Sequence, residues 1–114
     1  MKIKETLYQK TAVLSLRGKL MGPPASSKLY EDVINLLENG VIRIVFDLSH
    51  VNWINSLGVG AIVKCFTAVE KYKGLLHLVG LTEKVKSIFV MSQLTKIFTI
   101  HDSVDNAVAE LNNT

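Results

Sequence analysis

The feature that most constrains the fold is a short apolar run, VIRIVFDL, which lies between two segments of helical periodicity. The run is rich in β-branched residues and shows little alternation, which is typical of a strand buried on both faces in a parallel sheet. Parallel neighbours need long crossover connections, and these are usually helices. The run therefore predicts an α/β fold with a mostly parallel sheet covered by helices.

The segment before this run predicts a hairpin followed by a helix. TAVLSLR alternates, with Val13, Ser15 and Arg17 on its outer face, and KIKETLYQ is expected to pair with it as an antiparallel edge strand across Gln9-Lys10. After the Gly- and Pro-containing stretch GKLMGPP, an apolar stripe at helical spacing predicts a helix from Ala25. We expect Ser26 or Ser27 to cap this helix and Gly40 to end it.

The second half of the chain continues the alternation of strands and helices. A second helix is expected from near Ser56 to about Tyr72, stopped by Gly74. LLHLVG and KIFTI predict strands, EKVKSIFVMS a third helix, and DSVDNAVAEL a fourth helix capped by Asp102 or Ser103. The order ββαβαβαβα over residues 1–114 predicts one domain, a mixed and mostly parallel sheet with an N-terminal antiparallel hairpin and about four helices.

Composition excludes several classes of protein. The formal net charge is +3 and the basic residues are scattered, whereas nucleic-acid binding usually needs a concentrated basic face. No apolar run is long enough to cross a bilayer and the first residues lack a signal-peptide core, so we expect a cytoplasmic protein without direct membrane insertion. The single cysteine, Cys65, excludes an internal disulfide and a site with several cysteine ligands.

The most informative motif is WINSLGVGA at residues 53–61, which follows the predicted third strand. Sites in such sheets form beyond the carboxyl ends of strands. A hydrolase with Ser56 as nucleophile would need Gly-x-Ser-x-Gly, but residue 54 is Ile54. A dinucleotide-binding loop would need Gly or Ala at residue 63, which is Val63. Neither motif is complete, and no pair of histidines has the spacing of metal ligands.

Residue spacing alone leaves two interpretations of residues 53–61 open. Ser56 is a favoured type of helix cap, and the glycines can serve close packing of the helix on the sheet. Alternatively the helix start is a surface for a partner, continued by a flank of small or amphipathic residues: Ala61, Cys65, Ala68 and Tyr72. Such a flank either packs against a neighbouring helix of the same domain or docks a partner.

VFDLSHVNWINSLGVGAIV resembles the signature of the STAS domain found in bacterial anti-sigma factor antagonists, an apolar strand followed by D-L-S-x-V-x-x-I-D-S-x-G-L-G. The matching residues are Asp47, Leu48, Ser49, Val51, Ile54, Ser56, Gly58 and Gly60. LSLRGKL is similar to the family's second strand and turn. The segment VGLTEKVKSIFVMSQLTKIFTIHDSVDNAV is similar to its C-terminal third, including an M-S-x-L-x-x-x-F stretch at Met91, Ser92, Leu94 and Phe98. Nearly the whole chain is covered.

The resemblance implies a binding switch and not an enzyme, with no cofactor. In that family the unmodified antagonist binds an anti-sigma factor that is also a serine kinase of the GHKL type. The kinase phosphorylates the antagonist and releases it, and a PP2C-type phosphatase resets the cycle. The resemblance places the phosphorylated serine at Ser56. It makes the small-residue flank a docking surface and implies a partner-binding set of Met21, Asn55, Ser56, Leu57, Gly58, Gly60, Ala61, Lys64 and Cys65.

Two positions depart from the family pattern and motivate an alternative. The aspartate that usually precedes the serine is Asn55 here, which loses the charge but keeps a hydrogen-bonding oxygen. Met21 stands near the place where an acidic residue is often found after the second strand. The alternative is a STAS interaction subunit with no phosphorylation cycle, in a larger signalling or lipid-transport assembly.

Overall fold

The computed structural model describes all residues from Met1 to Thr114, and it confirms the predicted order of strands and helices. The elements are β1 (Lys2–Tyr8), β2 (Thr11–Leu20), α1 (Ala25–Glu38), β3 (Arg43–Ile54), α2 (Ser56–Lys71), β4 (Leu75–Val79), α3 (Glu83–Met91), a single 3-10 turn (Leu94–Lys96), β5 (Thr99–His101) and α4 (Val104–Asn112).

The five strands form one mixed sheet in the order β1-β2-β3-β4-β5. The strands β1 and β2 form the predicted antiparallel hairpin, with Tyr8 opposite Thr11 across the Gln9-Lys10 turn. All the other neighbours are parallel. The carboxyl ends of β2 and β3 consequently lie at the same edge of the sheet, where Leu20 pairs with Ile54 immediately before α2 begins.

The core has two layers, one on each face of the sheet. The larger layer packs α1, α2 and α3 on one face around side chains such as Leu14, Phe46 and Leu78. A smaller layer packs α4 on the other face. We expected the outer face of β2 to be exposed at Val13, but Val13 is buried beneath Ala107 and Leu111 of α4. Burial there follows from the placement of α4, which an alternating strand pattern does not specify.

The third strand is longer than predicted. We expected it to end at Leu48 and to be followed by a loop, but β3 continues to Ile54. Val51 and Ile54 are buried and hold this extension against the core. The register of β3 against β2 shifts twice, between Ser15 and Arg17 and between Gly18 and Lys19, and such bulges bend a strand. Only Asn55 separates the end of β3 from α2.

At two helix ends the structure places a different residue from the one predicted. No serine side chain caps α1, whose N-cap position is Pro24. At the end of α2 the left-handed residue is Lys73, with φ of 58°, and not Gly74. Gly74 is required for another reason, because a Cβ there would overlap the carbonyl oxygen of Ile42. Gly40 does take the left-handed conformation after α1, as expected, with φ of 84°.

None of the helices combines the length and the apolar character that a membrane crossing requires.

Candidate functional site

Ser56 is the first residue of α2, and Asn55 is the residue that caps the helix. The Asn55 Oδ1 accepts a hydrogen bond from the backbone N–H of Gly58 at 3.0 Å. The Asn55 carbonyl oxygen accepts the first helical bond, from the N–H of Val59 at 2.9 Å. The interpretation of Ser56 as the cap is therefore wrong by one residue. Because its side chain is not needed for capping, the exposed hydroxyl of Ser56 is available to other chemistry.

The same Asn55 side chain joins the start of α2 to the segment that follows β2. Its Nδ2 donates a hydrogen bond to the carbonyl oxygen of Met21 at 3.0 Å. The Asn55 N–H also points at the carbonyl oxygen of Leu20, at 3.4 Å. An amide supplies both an acceptor and a donor, whereas an ionised carboxylate only accepts. Asn55 therefore holds Met21 beside Ser56 through a donated hydrogen bond that an ionised aspartate side chain cannot make.

The two glycines of the motif have different roles. A Cβ on Gly58 would overlap the carbonyl oxygen of Leu20, so only glycine lets α2 approach the end of β2 this closely. A Cβ on Gly60 would meet nothing within 4 Å. Gly58 is consequently buried at the junction of helix and sheet, whereas Gly60 is exposed and leaves the surface behind Ser56 open.

Large apolar side chains are exposed around Ser56. Leu57 is 61% exposed and Met21 45%. Trp53, three residues before Ser56, is 41% exposed and its ring contacts Lys84 of α3. Ser56 also borders a shallow groove of about 440 Å³ between the starts of α1 and α2, lined by residues that include Ser26, Ser27, Tyr30, Glu31, Gly60 and Lys64. Exposed apolar groups grouped beside a groove are typical of a surface that binds another protein.

Lys64, in the middle of α2, is the one positively charged residue that lines this groove. It is exposed, and its Nζ lies 4.2 Å from the centre of the Tyr30 ring in a cation–π contact. This contact orients the ammonium group across the groove from α2 towards α1. The side chain is held by a weak interaction and stays accessible to an anion or to a partner.

Three of the four residues of the small-residue flank of α2 are buried, and only Tyr72 is exposed. Cys65 is 0% exposed, and Ala61 and Ala68 are buried as well, because α1 packs against this side of α2. The expectation that the flank is exposed is therefore wrong for these three residues. Small side chains allow the two helices to approach closely. Burial raises the pKa of the Cys65 thiol to about 12, so at neutral pH the thiol is protonated and unreactive.

The hydrolase alternative receives no support from the geometry. None of the residues that line the groove beside Ser56 is a histidine. His50 lies on β3 with its Nδ1 3.2 Å from the Ser49 hydroxyl oxygen, and His77 and His101 lie together elsewhere. A serine nucleophile needs a base within hydrogen-bond distance, and Ser56 has none.

One group of side chains with ligating atoms was not predicted. His77 of β4, His101 of β5 and Glu110 of α4 meet on the face of the sheet that α4 covers, with their ligating atoms within 4.8 Å of one another. Sequence spacing gave no signal for it, because the three residues come from different elements. The parallel pairing of β4 with β5, which places Val79 opposite His101, brings the two histidines together.

Taken together, the architecture is that of a small α/β domain with a five-stranded mixed sheet and an exposed serine at the start of its second helix. The STAS domain family model matches residues 3–107. The chain belongs to the STAS domain family.

Relatives within this family support the assignment. A candidate anti-sigma factor antagonist of Thermotoga maritima is 31% identical over 75 residues, a segment that spans 66% of this chain and 66% of the relative, slightly under two thirds of its length. The crystal structure of a candidate anti-sigma factor antagonist from the same organism superposes with a TM-score of 0.88 at 23% identity, covering 96% of this chain and 94% of the other.

A third similar fold is that of the Bacillus anti-sigma factor antagonist SpoIIAA. Its unphosphorylated form matches with a TM-score of 0.74 at 16% identity, covering 96% of each chain. Its phosphorylated form matches with a TM-score of 0.76 at 17% identity, covering 96% of this chain and 98% of the other. At these identities the likeness establishes the fold.

Proposed function

We propose that this protein is an anti-sigma factor antagonist whose binding is controlled by phosphorylation of Ser56. The unmodified chain binds an anti-sigma factor that is also a serine kinase of the GHKL type. Phosphorylation of Ser56 releases it, and a PP2C-type phosphatase restores the binding form. The observation that carries the proposal is the exposed Ser56 hydroxyl at the start of α2, next to the exposed side chains of Met21 and Leu57.

The position of Ser56 lets the fold accept a phosphate without rearrangement. Asn55 bonds the Gly58 and Val59 N–H groups of the first turn, which leaves those of Ser56 and Leu57 for solvent or an anion. The helix dipole further favours negative charge at this end. A phosphate adds about −1.5 to −2 charge at neutral pH, and a helix start is a suitable place for it.

The same phosphate is incompatible with a partner packed over Ser56. Binding that covers Leu57 and Met21 removes water from the Ser56 hydroxyl. Once phosphorylated, this group is strongly hydrated and doubly charged, and burying it costs far more than burying a hydroxyl. Release then needs only this local change and no refolding of the domain.

The proposed partner surface is narrower than the sequence implied. It keeps five residues at the start of α2 or along the open groove, Asn55, Ser56, Leu57, Gly60 and Lys64. It also keeps Met21, which a hydrogen bond from Asn55 holds beside them. It omits Cys65, which is fully buried, whereas Ala61 lines the groove but is only 8% exposed and contributes little surface. Gly58 contributes by fixing the approach of α2 to β2 and not by contact.

One observation favours the alternative of an interaction subunit without a phosphorylation cycle. Both hydrogen-bonding atoms of the Asn55 side chain are engaged within the chain, with Gly58 and Met21. The side chain is therefore less free than an aspartate to bind a kinase. This alternative predicts a stable complex with a partner that is not a kinase and that is indifferent to ATP.

The testing experiment is phosphorylation of the purified protein by its cognate kinase with ATP, followed by mass spectrometry. The proposal predicts one phosphate on Ser56. Ser56→Ala should remove the modification, while Ser92→Ala, at an exposed serine after α3, should leave it unchanged. Phosphate at another residue, or a stable complex with an unmodified chain in the presence of ATP, would contradict the switch.

A further inference from the structure

A second candidate site lies on the opposite face of the sheet from α2. His77 is buried on β4, His101 is at the end of β5, and Glu110 projects from the second turn of α4. The side chains of His77 and His101 are 11% and 12% exposed, whereas that of Glu110 is 57% exposed. The group therefore has two sheltered imidazoles and a carboxylate at its solvent side.

The three ligating atoms form a compact triangle. The His77 Nδ1 lies 2.9 Å from the His101 Nε2, and the Glu110 Oε2 lies 3.5 Å and 3.4 Å from these two nitrogens. A zinc ion bound tetrahedrally at about 2.0–2.1 Å holds neighbouring ligand atoms roughly 3.3–3.4 Å apart. The distance from Glu110 to His101 falls in this range and that to His77 exceeds it by roughly 0.1 Å, while the two nitrogens would need to separate by roughly 0.4–0.5 Å.

We propose that His77, His101 and Glu110 form a binding site for a divalent transition-metal ion, with zinc as the best-suited ion. Two imidazoles and one carboxylate are ligands typical of zinc sites that keep an open fourth position. Because Glu110 faces solvent, a water molecule would complete the coordination of the bound ion. Hard cations such as Mg²⁺ prefer all-oxygen sites and are disfavoured by two nitrogen ligands.

The surroundings of the histidines favour the ligating form. Burial, and secondarily the neighbouring His101, lower the pKa of His77, while Glu110 partly opposes this shift. A neutral imidazole offers a lone pair to a metal ion, and a protonated one does not. Without an ion, one imidazole donates a hydrogen bond to the other and Glu110 adds little, since its contacts to both nitrogens exceed 3.3 Å.

A metal ion here adds a link between β4, β5 and α4. The strand β5 has only three residues and lies at the sheet edge. The helix α4 packs on the sheet through Ala107 and Leu111 and is tied to β2 by Asn112, whose Oδ1 accepts a hydrogen bond from the Thr11 hydroxyl at 2.7 Å. An ion bound by His77, His101 and Glu110 would tie both elements to β4, on the face away from Ser56, and would stabilise the folded state by binding it selectively. The site is independent of the phosphorylation switch.

The test is a zinc titration of the purified full chain, freed of any histidine tag, against a chromophoric zinc chelator. We expect one zinc ion per chain and a rise of the melting temperature with zinc concentration. Glu110→Gln and His101→Ala should each weaken zinc binding at least tenfold. Glu110 is exposed, so the Glu110→Gln variant tests the site without threatening the fold.

The matched control is His50→Ala, which removes an exposed histidine on β3 that is not part of the group. This variant should bind zinc as tightly as the wild type and show the same zinc-dependent rise in melting temperature. The proposal is overturned by the absence of stoichiometric zinc binding. It is equally overturned if Glu110→Gln and His101→Ala bind zinc as the wild type does, or if His50→Ala abolishes binding.

Discussion

The Nδ2 of Asn55 donates a hydrogen bond to the carbonyl oxygen of Met21, 34 residues earlier in the chain, at 3.0 Å. The Oδ1 of the same side chain caps α2 through the Gly58 N–H. One amide thus fixes both the helix that carries Ser56 and the apolar residue beside it. Replacing the aspartate of the family signature by Asn55 removes a charge and also adds a hydrogen bond to Met21.

Substitutions of Asn55 should distinguish the contributions of its two hydrogen bonds, the one that caps α2 and the one to Met21. Asn55→Asp keeps an acceptor for Gly58 but places a carboxylate oxygen against the Met21 carbonyl. We expect it to lower the free energy of unfolding by about 1 kcal/mol. Asn55→Ala loses both bonds and should lose about 2 kcal/mol. Urea unfolding measures the free energies of unfolding of both variants. An aspartate variant as stable as the wild type would show that the hydrogen bond to Met21 does not stabilise the fold.

The two glycines of the motif should respond differently to alanine. Gly58→Ala drives a methyl group into the Leu20 carbonyl, and we expect a loss of about 2 kcal/mol or more in the free energy of unfolding. Gly60→Ala enters open space within a helix and should be neutral or stabilise the protein by up to about 1 kcal/mol. Thermal unfolding of the two variants and the wild type measures these differences in stability. Equal effects at both positions would contradict the packing of α2 on β2.

Cys65 should be inert in the folded protein. Burial raises the pKa of its thiol to about 12, so almost no thiolate forms between pH 7 and 9, whereas an unfolded chain, with a thiol pKa of about 8.5, ionises over this range. The rate of alkylation by iodoacetamide should rise steeply over this range only when urea is present. Between these two pKa values the thiol is ionised in the unfolded state and protonated in the folded state. A rise in pH over this range therefore lowers the free energy of unfolding. Rapid alkylation of the native protein would contradict the burial of Cys65 beneath α1.

Leu57 should matter for binding and not for stability. Because it is 61% exposed, Leu57→Ala should change the free energy of unfolding by less than about 0.5 kcal/mol. The affinity of the Leu57→Ala variant for the proposed anti-sigma partner should fall about tenfold or more, since burying a leucine side chain contributes about 1.5–3 kcal/mol. Val90→Ala, at a residue of α3 that is 54% exposed, is the control and should bind normally. Calorimetric titration compares the three proteins, and equal affinities would place the partner surface elsewhere.

Hydrophobic periodicity predicted the order of elements because a strand and a helix bury side chains at different spacings. It could not place boundaries that depend on contacts between elements. The extension of β3 to Ile54 depends on Val51 and Ile54 reaching the core, and the burial of Cys65 depends on where α1 lies. Neither fact is encoded in local spacing.

The site was predicted in part for a related reason. A capping residue and the first helical residue are adjacent and both polar here, so spacing could not choose between Asn55 and Ser56. The role of Asn55 became definite only when the end of β2 was placed beside it. The group of His77, His101 and Glu110 gave no signal at all, because only the parallel sheet and the packing of α4 bring these residues together.

The proposed switch is tested most directly by the affinity of the proposed anti-sigma kinase for this protein, measured with Ser56 unmodified and with Ser56 phosphorylated. Calorimetry with homogeneous unmodified and phosphorylated chains should show affinity falling at least tenfold on phosphorylation, with both forms equally folded by circular dichroism. Ser92→Asp should bind as the wild type does, which separates a local effect from a change in net charge. Equal affinity of the unmodified and phosphorylated chains would contradict the account.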